Sequence, residues 1–192
     1  YALGIMNVHP YHFGKRVGRQ LLTEITSRAD AENKPTRLVS SALNLDSFSL
    51  YSKAGFTPRA TFQDTLLTVP PEGVSLVETH SGLIRKATLD DVAGIVSLEE
   101  AVVGIRREGD WRYFMQNDLG IWTVWVSLTS EGTVDGVLAA VSHPGSRIVG
   151  PGVMRAERTA IALTQAILKT LAGQTALMLI PALSRDLLDA VY

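Results

Sequence analysis

Residues 8–18, Val8-His9-Pro10-Tyr11-His12-Phe13-Gly14-Lys15-Arg16-Val17-Gly18, set two glycines and two adjacent cations in a turn between an apolar run and an amphipathic one. Such a turn exposes the first N–H groups of the helix it opens, and the helix dipole adds positive potential at the same point. The chemistry is that of an anion cradle, and phosphate is the anion it suits. Lys15, Arg16 and Arg19 add charge beside it. A second cluster follows at Asn44 and Leu50-Tyr51-Ser52-Lys53-Ala54-Gly55-Phe56. There Tyr51 offers a phenol that could donate a proton, or equally a helix residue with a packed ring and a wet hydroxyl. His9 could accept a proton near neutrality, or stand solvated at the end of a strand. His12 could add charge or be solvated.

The elements that must position these residues can be read from periodicity. Residues 2–8 are mostly apolar and predict a strand. From Val17 a helix is expected to about Asn33, with Val17, Leu21, Ile25 and Ala29 every four residues and Leu22 widening the stripe. Lys34-Pro35 stops it. Residues 36–43 predict a second strand and residues 46–54 a short helix opened by Asn44 or Asp46, with Gly55 in the C-terminal glycine position. Residues 56–69 are expected to be extended.

These residues resemble the acyl-CoA site of the GNAT superfamily of N-acetyltransferases. In that family a strand ends in a Val-x-Pro-like segment, here Val8-His9-Pro10, and runs into a Q/R-x-x-G-x-G/A loop holding the CoA pyrophosphate on backbone amides. Phe13-Gly14-Lys15-Arg16-Val17-Gly18 occupies that loop, with Gly14 and Gly18 in place, Phe13 for the usual Gln or Arg, and Arg16 for the internal glycine. If that position needs a left-handed backbone, Arg16 costs about 1–2 kcal/mol there. The resemblance implies that Val8, Phe13, Gly14, Lys15, Arg16, Val17, Gly18 and Asn44 bind acetyl-CoA or another acyl-CoA. It implies that Tyr51 protonates the departing thiolate, and that backbone around Asn7 and Val8 polarises the thioester carbonyl. No general base stands out.

Composition removes other classes. The 192 residues carry 18 Lys or Arg against 19 Asp or Glu, a net charge of −1, which gives no global field for nucleic acid or an acidic membrane. With no cysteine, thiolate nucleophiles and zinc–thiolate sites are excluded, in keeping with a reducing cytoplasm. No metal site is expected, and no run reaches the roughly 20 apolar residues of a membrane span. A P-loop is remote, because Gly14-Lys15 lacks both the upstream glycine and the following Ser or Thr.

Beyond Pro70-Pro71-Glu72-Gly73 and Glu78-Thr79-His80-Ser81-Gly82 the pattern restarts. A strand at 83–86, an N-cap at Thr88, helices over 92–103 and 110–117, and a hairpin of 121–128 with 133–142 are expected. Residues 147–150 predict a short extended piece, followed by a long helix to Leu171, a strand at 176–180 and a helix at 183–191. Ile148-Val149-Gly150-Pro151-Gly152-Val153 stands where the first half has its phosphate loop, and Ser184 where it has Asn44. Trp111, Trp122 and Trp125, with Arg106, Arg107 and Arg112, could line an acceptor pocket or be core residues and a solvated charged face.

The order strand–helix–strand–helix thus occurs twice, a cryptic repeat. The expected fold class is mixed α/β (α+β), built of two GNAT-like units. Residues 1–69 are the C-terminal, acyl-CoA-binding half of one unit that lacks its N-terminal strands. Residues 70–82 are a linker, and 83–192 a second, degenerate unit that lacks its last strands. The chain, starting at Tyr1 almost inside a strand, reads as a piece of a longer protein. The implied function is acyl-CoA-dependent N-acyl transfer to an amine of a small molecule or peptide. The alternative is a non-catalytic acyl-CoA-binding or regulatory module. An open sheet edge in the first unit would invite pairing with the second unit or, as a homodimer, with another copy.

Overall fold

The computed structural model describes residues 1–4, 6–74 and 82–192. Contacts divide the chain into two compact units, Tyr1–Arg59 and Ala60–Tyr192. The sequence placed a linker at 70–82; of this, residues 75–81 lie outside the described residues.

In the first unit, α1 spans Val17–Ala31 and α2 spans Leu45–Lys53. The helix ends follow local chemistry. Asn33 adopts a left-handed conformation (φ 51°) two residues past α1, while the Lys34 amide donates back to the Ala29 carbonyl. Gly55, at φ 89°, closes α2 as its position predicts. The buried stripe of α1 centres on Leu22 and Ala29, with Ile25 half-buried between them; Leu21, expected on that stripe, is exposed. The strands expected over 2–8 and 36–43 are reduced to one parallel bridge, Ala2 with Arg37. The Leu3 amide donates to the Arg37 carbonyl and the Arg37 amide to that of Tyr1. Apolar character marks the segments as extended, but a ladder needs flanking strands, and the described part of this unit supplies none.

The second unit is a six-stranded mixed sheet in the order β1-β6-β5-β4-β3-β2. Its strands are β1 (Phe62–Thr68), β2 (Leu83–Lys86), β3 (Trp122–Leu128), β4 (Val134–His143), β5 (Ser146–Met154) and β6 (Thr175–Pro181). Its helices are α3 (Val92–Val103), α4 (Glu108–Gln116), α5 (Glu157–Leu168) and α6 (Arg185–Val191). β1, expected in the first domain, is an edge strand of this sheet, antiparallel to β6 from Phe62 opposite Pro181 to Thr68 opposite Thr175. Thr65, Leu67 and Val69 point one way from it into the core.

Both faces of the sheet are covered. On one lie α5 and α6 over Leu138, Ala140, Val149, Ala176, Met178 and Ile180. On the other lie α3 and α4 over Val124, Val126, Val137 and Ala139. The alternation in β3 is as its pattern predicts, with Trp122, Val124 and Val126 on one side and Trp125 on the other. Both sides turn out to be core.

β5 is longer than its predicted four residues, and the helix after it correspondingly shorter. Two residues, Gly150 and Pro151, stand opposite Ala139 alone, a bulge at which proline's missing N–H costs no ladder bond. The strand therefore continues past the proline to Met154, and α5 starts only at Glu157. Parallel pairing of β5 with β6 is confined to Ile148–Leu177 and Val149–Met178, just before that bulge.

The entry to α3 is tied by a capping box: Thr88 donates its amide and hydroxyl to Asp91 at 2.8 and 3.2 Å, as the turn Leu89–Asp91 leads into the helix. Arg85 from β2 grips the same carboxylate through two bonds of 2.7 Å. Arg85, with desolvation opposing it and the Thr88 amide helping, holds the Asp91 carboxyl below the ordinary carboxylate range. The folded state thus prefers the ionised form, so this stabilisation is complete above the unfolded carboxyl's value, near pH 4, and is lost as pH falls through the lowered one. Asp91→Asn should cost about 1–3 kcal/mol at pH 7 in a urea melt and shrink that loss below pH 4.

Candidate acyl-CoA-binding site

The loop before α1 is built from short-range bonds. Pro10–His12 form a single tight turn whose preceding residue, His9, accepts the Tyr11 amide on Nδ1 at 3.3 Å. Rings of His9 and Tyr11 lie 5.0 Å apart. That contact accounts for His9 as the cap of its own turn. The Lys15 amide donates to the His12 carbonyl, and the chain then passes through two left-handed residues, Gly14 at φ 74° and Arg16 at φ 65°, ψ 11°. Alternating left-handed residues of this kind turn successive N–H groups toward one concavity.

Arg16 is the N-cap of α1, its side chain makes no capping bond, and the first turn holds no acidic residue. Among the described residues, the amides of Val17, Gly18 and Arg19 have no acceptor. Nor do Lys15, Arg16 or Arg19, all exposed, have a carboxylate partner. The remaining cations of α1 and its exit are otherwise engaged: Arg28 pairs with Glu24 at 2.7 Å and Lys34 with Glu32 at 2.6 Å. Eight of the 18 Lys and Arg residues and only four of the 19 Asp and Glu lie in this unit, so its local potential is positive although the chain's net charge is not.

A Cβ placed on Gly14 would meet nothing within 4 Å; its need for glycine is the positive φ. Gly18 is different. Its φ is ordinary, and a Cβ there would meet Val8 Cγ2 and Leu50 Cδ2 at 3.6 Å, a normal contact. Neither backbone nor neighbours require glycine at 18, which leaves the open backbone itself as the feature. The same contacts bring three of the sequence segments together: the Val8 end of the apolar run, the first turn of α1, and α2 through Leu50. Leu50 was legible only as part of a motif, and its packing role is new.

Asn44 caps α2, its Oδ1 accepting the Ser47 amide at 3.1 Å. Tyr51, the residue after Leu50, is half-buried with its ring edge-on to Phe56 at 6.1 Å, and its hydroxyl has no partner among the described residues. Phe13 is 70% exposed beside the loop. Arg16→Gly removes a non-glycine residue from a left-handed position and should stabilise the first unit by about 1 kcal/mol in a thermal melt. Gly is also a tolerated N-cap, so the helix start is kept.

The corresponding place in the second unit differs. Ile148 to Val153, which stands in sequence where the first half has its phosphate loop, lies inside β5. The residues that open α5 are Arg155, Ala156 and Glu157, and the N-cap Ala156 has no side-chain acceptor. Glu157 sits in the first turn and accepts the Leu187 amide of α6 at 3.2 Å, so a carboxylate of the chain already occupies this helix start. Ser184 is the N-cap of α6, the counterpart of Asn44, but makes no capping bond. The arginine cluster is likewise engaged. Arg106 pairs with Glu100, Arg107 with Glu99 and Arg112 with Glu108, while Trp111 is fully buried beneath Arg107 at 5.5 Å. Of the pocket residues expected there, Trp122 lines a cavity, together with Phe114 and Met115 of α4.

Neither a family sequence model nor a curated protein sequence matches the chain. Solved structures do match in three dimensions. A provisionally named acetyltransferase from Pyrococcus horikoshii superposes with a TM-score of 0.68 at 14% identity, over 99% of this chain and 59% of its own. A GCN5-related N-acetyltransferase from Sphaerobacter thermophilus gives 0.56 at 19% identity, over 91% of this chain and 62% of its own. The fold is that of the GNAT acetyltransferases. Saccharomyces cerevisiae N-myristoyltransferase, solved with bound myristoyl-CoA, gives 0.52 at 12% identity, over 93% of this chain and 53% of its own. The chain thus spans about three fifths or less of the length of these GNAT-fold proteins. No described helix is long and apolar enough to cross a membrane, and no group of three potential metal ligands occurs among the described residues.

Proposed function

We propose that the chain is part of an acyl-CoA-dependent N-acyltransferase in which the first unit holds the cofactor, acetyl-CoA or another acyl-CoA. The observation that carries this reading is the loop of residues 13–19. Its left-handed Gly14 and Arg16, uncapped first-turn amides and unpaired Lys15, Arg16 and Arg19 make a site for a polyanion, here the CoA pyrophosphate. Phe13, Val17 and Gly18 complete the loop; Val8 supplies the strand-end backbone that faces the thioester. Asn44 keeps its amide nitrogen free for the cofactor while its oxygen caps α2. Tyr51 donates a proton to the departing CoA thiolate as the amine attacks the carbonyl. The thioester C–S bond breaks, an amide C–N bond forms, and the amine's proton leaves to a base or water.

The tandem reading of two GNAT-like units belongs to the same proposal. It is supported by two parallel pairings that flank a helix: the single bridge of Ala2 with Arg37 across α1, and β5 with β6 across α5. The second unit then serves the fold or the acceptor pocket, with Glu157 in the place of a bound phosphate, and each chain takes up one acyl-CoA. The acceptor is an amine of a small molecule or peptide, and the setting is cytoplasmic.

A panel of amines incubated with the chain and acetyl-CoA, followed by thiol release, tests the reaction. Amine-dependent release of free CoA supports transfer. Binding of acetyl-CoA with no release on any amine would favour the non-catalytic acyl-CoA-binding module instead.

A further inference from the structure

We infer that the second unit self-associates through β1, which pairs antiparallel with β1 of a second copy about a two-fold axis at Leu66, joining two sheets into one. The basis is the difference between the two edges of the sheet. β2, at one edge, is four residues long and carries Arg85 and Lys86. Short length and exposed charge are means by which proteins keep an edge from pairing. β1, at the other edge, is seven residues long and in unbroken register with β6. It contains no lysine, arginine, proline or bulge.

The backbone of β1 offers a row of free donors and acceptors. At one end of its ladder the Ala182 amide donates to the Thr61 carbonyl, and at the other the Val69 amide donates to that of Gln174. Alternation between these ends turns the backbone groups of Gln63, Thr65 and Leu67 toward β6. The N–H and C=O groups of Phe62, Asp64, Leu66 and Thr68 therefore point outward, and no described strand pairs with them. Their side chains are all exposed, Leu66 to 73% and Phe62 to 45%. On the same sheet face, Leu177 and Leu179 of β6 lie opposite Leu66 and Asp64, half-buried and outside both cores.

The strand's own sequence selects a second copy and a register. A two-fold axis at Asp64 would set the two carboxylates directly opposite each other, and an axis at Thr65 would leave them diagonal neighbours. Like charges so placed are destabilising. With the axis at Leu66, Asp64 instead faces the partner's Thr68, and the two charges lie far apart along the strand. Thr68 Oγ1 is 3.1 Å from Thr175 Oγ1, so it can accept from Thr175 and donate its own proton to Asp64 across the axis. Leu66 packs on its copy, and the outward backbone groups of Asp64, Leu66 and Thr68 all find partners. A patch that complements itself in this way is what an isologous contact requires. The inference stands whether or not the first unit binds acyl-CoA.

Sedimentation equilibrium of the chain from about 1 to 500 μM, without acyl-CoA, tests it. A strand edge buries less than a standard interface, so a weak dimer with a Kd of about 50 μM is expected, the mean mass rising from one chain to two. Leu66→Lys places a charge at the axis on an exposed site and should weaken association at least about tenfold. Leu83→Lys, on the β2 edge at a side chain 59% exposed, should leave it unchanged; thermal melts check that both variants fold. In hydrogen exchange, the Asp64, Leu66 and Thr68 amides should gain protection as concentration rises. A monomer across the whole range would overturn the inference. So would a dimer that Leu66→Lys leaves intact, or one that forms without protecting those amides.

Discussion

Tyr51→Phe should lower the turnover number for acyl transfer about 100-fold while leaving acetyl-CoA affinity within a factor of two. A proton donor acts where charge develops on the departing sulfur, and its loss is felt in the transition state rather than in the bound ground state. The substitution removes one oxygen from a ring that is half-buried against Phe56, and that hydroxyl bonds to nothing among the described residues, so α2 and its packing are preserved. Steady-state kinetics on an amine that shows release, with calorimetry for affinity, separate the two quantities. An unchanged turnover number would remove Tyr51 from the mechanism. A parallel loss of affinity and thermal stability would reduce it to a structural residue of α2.

The largest effect on folding is expected at Arg107. Its side chain gives two hydrogen bonds to Glu99 Oε1, at 2.8 and 2.5 Å, and its own amide donates to Oε2 at 3.1 Å. Glu99 is completely buried on α3, so these bonds are the compensation for placing a carboxylate in the core between α3 and α4. Arg107→Ala strands that charge and also uncovers the Trp111 ring beneath the guanidinium. A loss of about 3–5 kcal/mol in urea unfolding is expected. The double variant Glu99→Met/Arg107→Met should recover most of it, since an apolar pair of similar volume avoids the desolvation cost. If the single and double variants were equally destabilised, the cost would lie in packing rather than in the stranded charge.

Arg107 also shows where sequence reading runs out. In sequence, the run from Arg106 to Arg112 is a charged cluster that could border a pocket or face solvent. Arg112 meets Glu108 one turn away on α4, but only the packing of the α4 entry against α3, centred on Val92, Ile95, Val96 and Trp111 in the core, shows that Arg106 and Arg107 meet Glu100 and Glu99. Elements whose signals are local were legible: α1, α2 with its Asn44 cap and Gly55, Thr88 as an N-cap, β2, and the β3–β4 hairpin. Elements that depend on neighbours were not. Segment 2–8 looks like a strand, but its described residues make one bridge, because a ladder needs a strand running alongside it and the described part of this unit supplies none. Residues 147–150 read as a short extended piece before a helix, and the bulge opposite Ala139 that carries β5 past Pro151 is a property of the pair of strands. β1 was readable as extended, yet its pairing with β6 joins residues more than 100 positions apart.

Around the candidate site, the local backbone was partly legible. Gly14 and Arg16 are both left-handed, Asn44 caps the expected helix and Tyr51 lies on it. Two things could not be read from sequence. One is that Gly18 approaches Val8 and Leu50 only at normal contact distance, so the chain itself does not need glycine there. The other is that Glu157 closes the equivalent helix start in the second unit, since its partner, the Leu187 amide, is 30 residues away.

The most direct test of the cofactor site is a calorimetric titration of the chain at low salt with acetyl-CoA and, in parallel, with acetyl-pantetheine, which has the same thioester arm but no phosphates. Saturation at one acetyl-CoA per chain, with acetyl-pantetheine bound at least about 100-fold more weakly, is the expected result, because charge-assisted bonds from Lys15, Arg16 and Arg19 and the first-turn amides go to the phosphates. Equal affinity for the two ligands, or no saturable heat from acetyl-CoA, would contradict it.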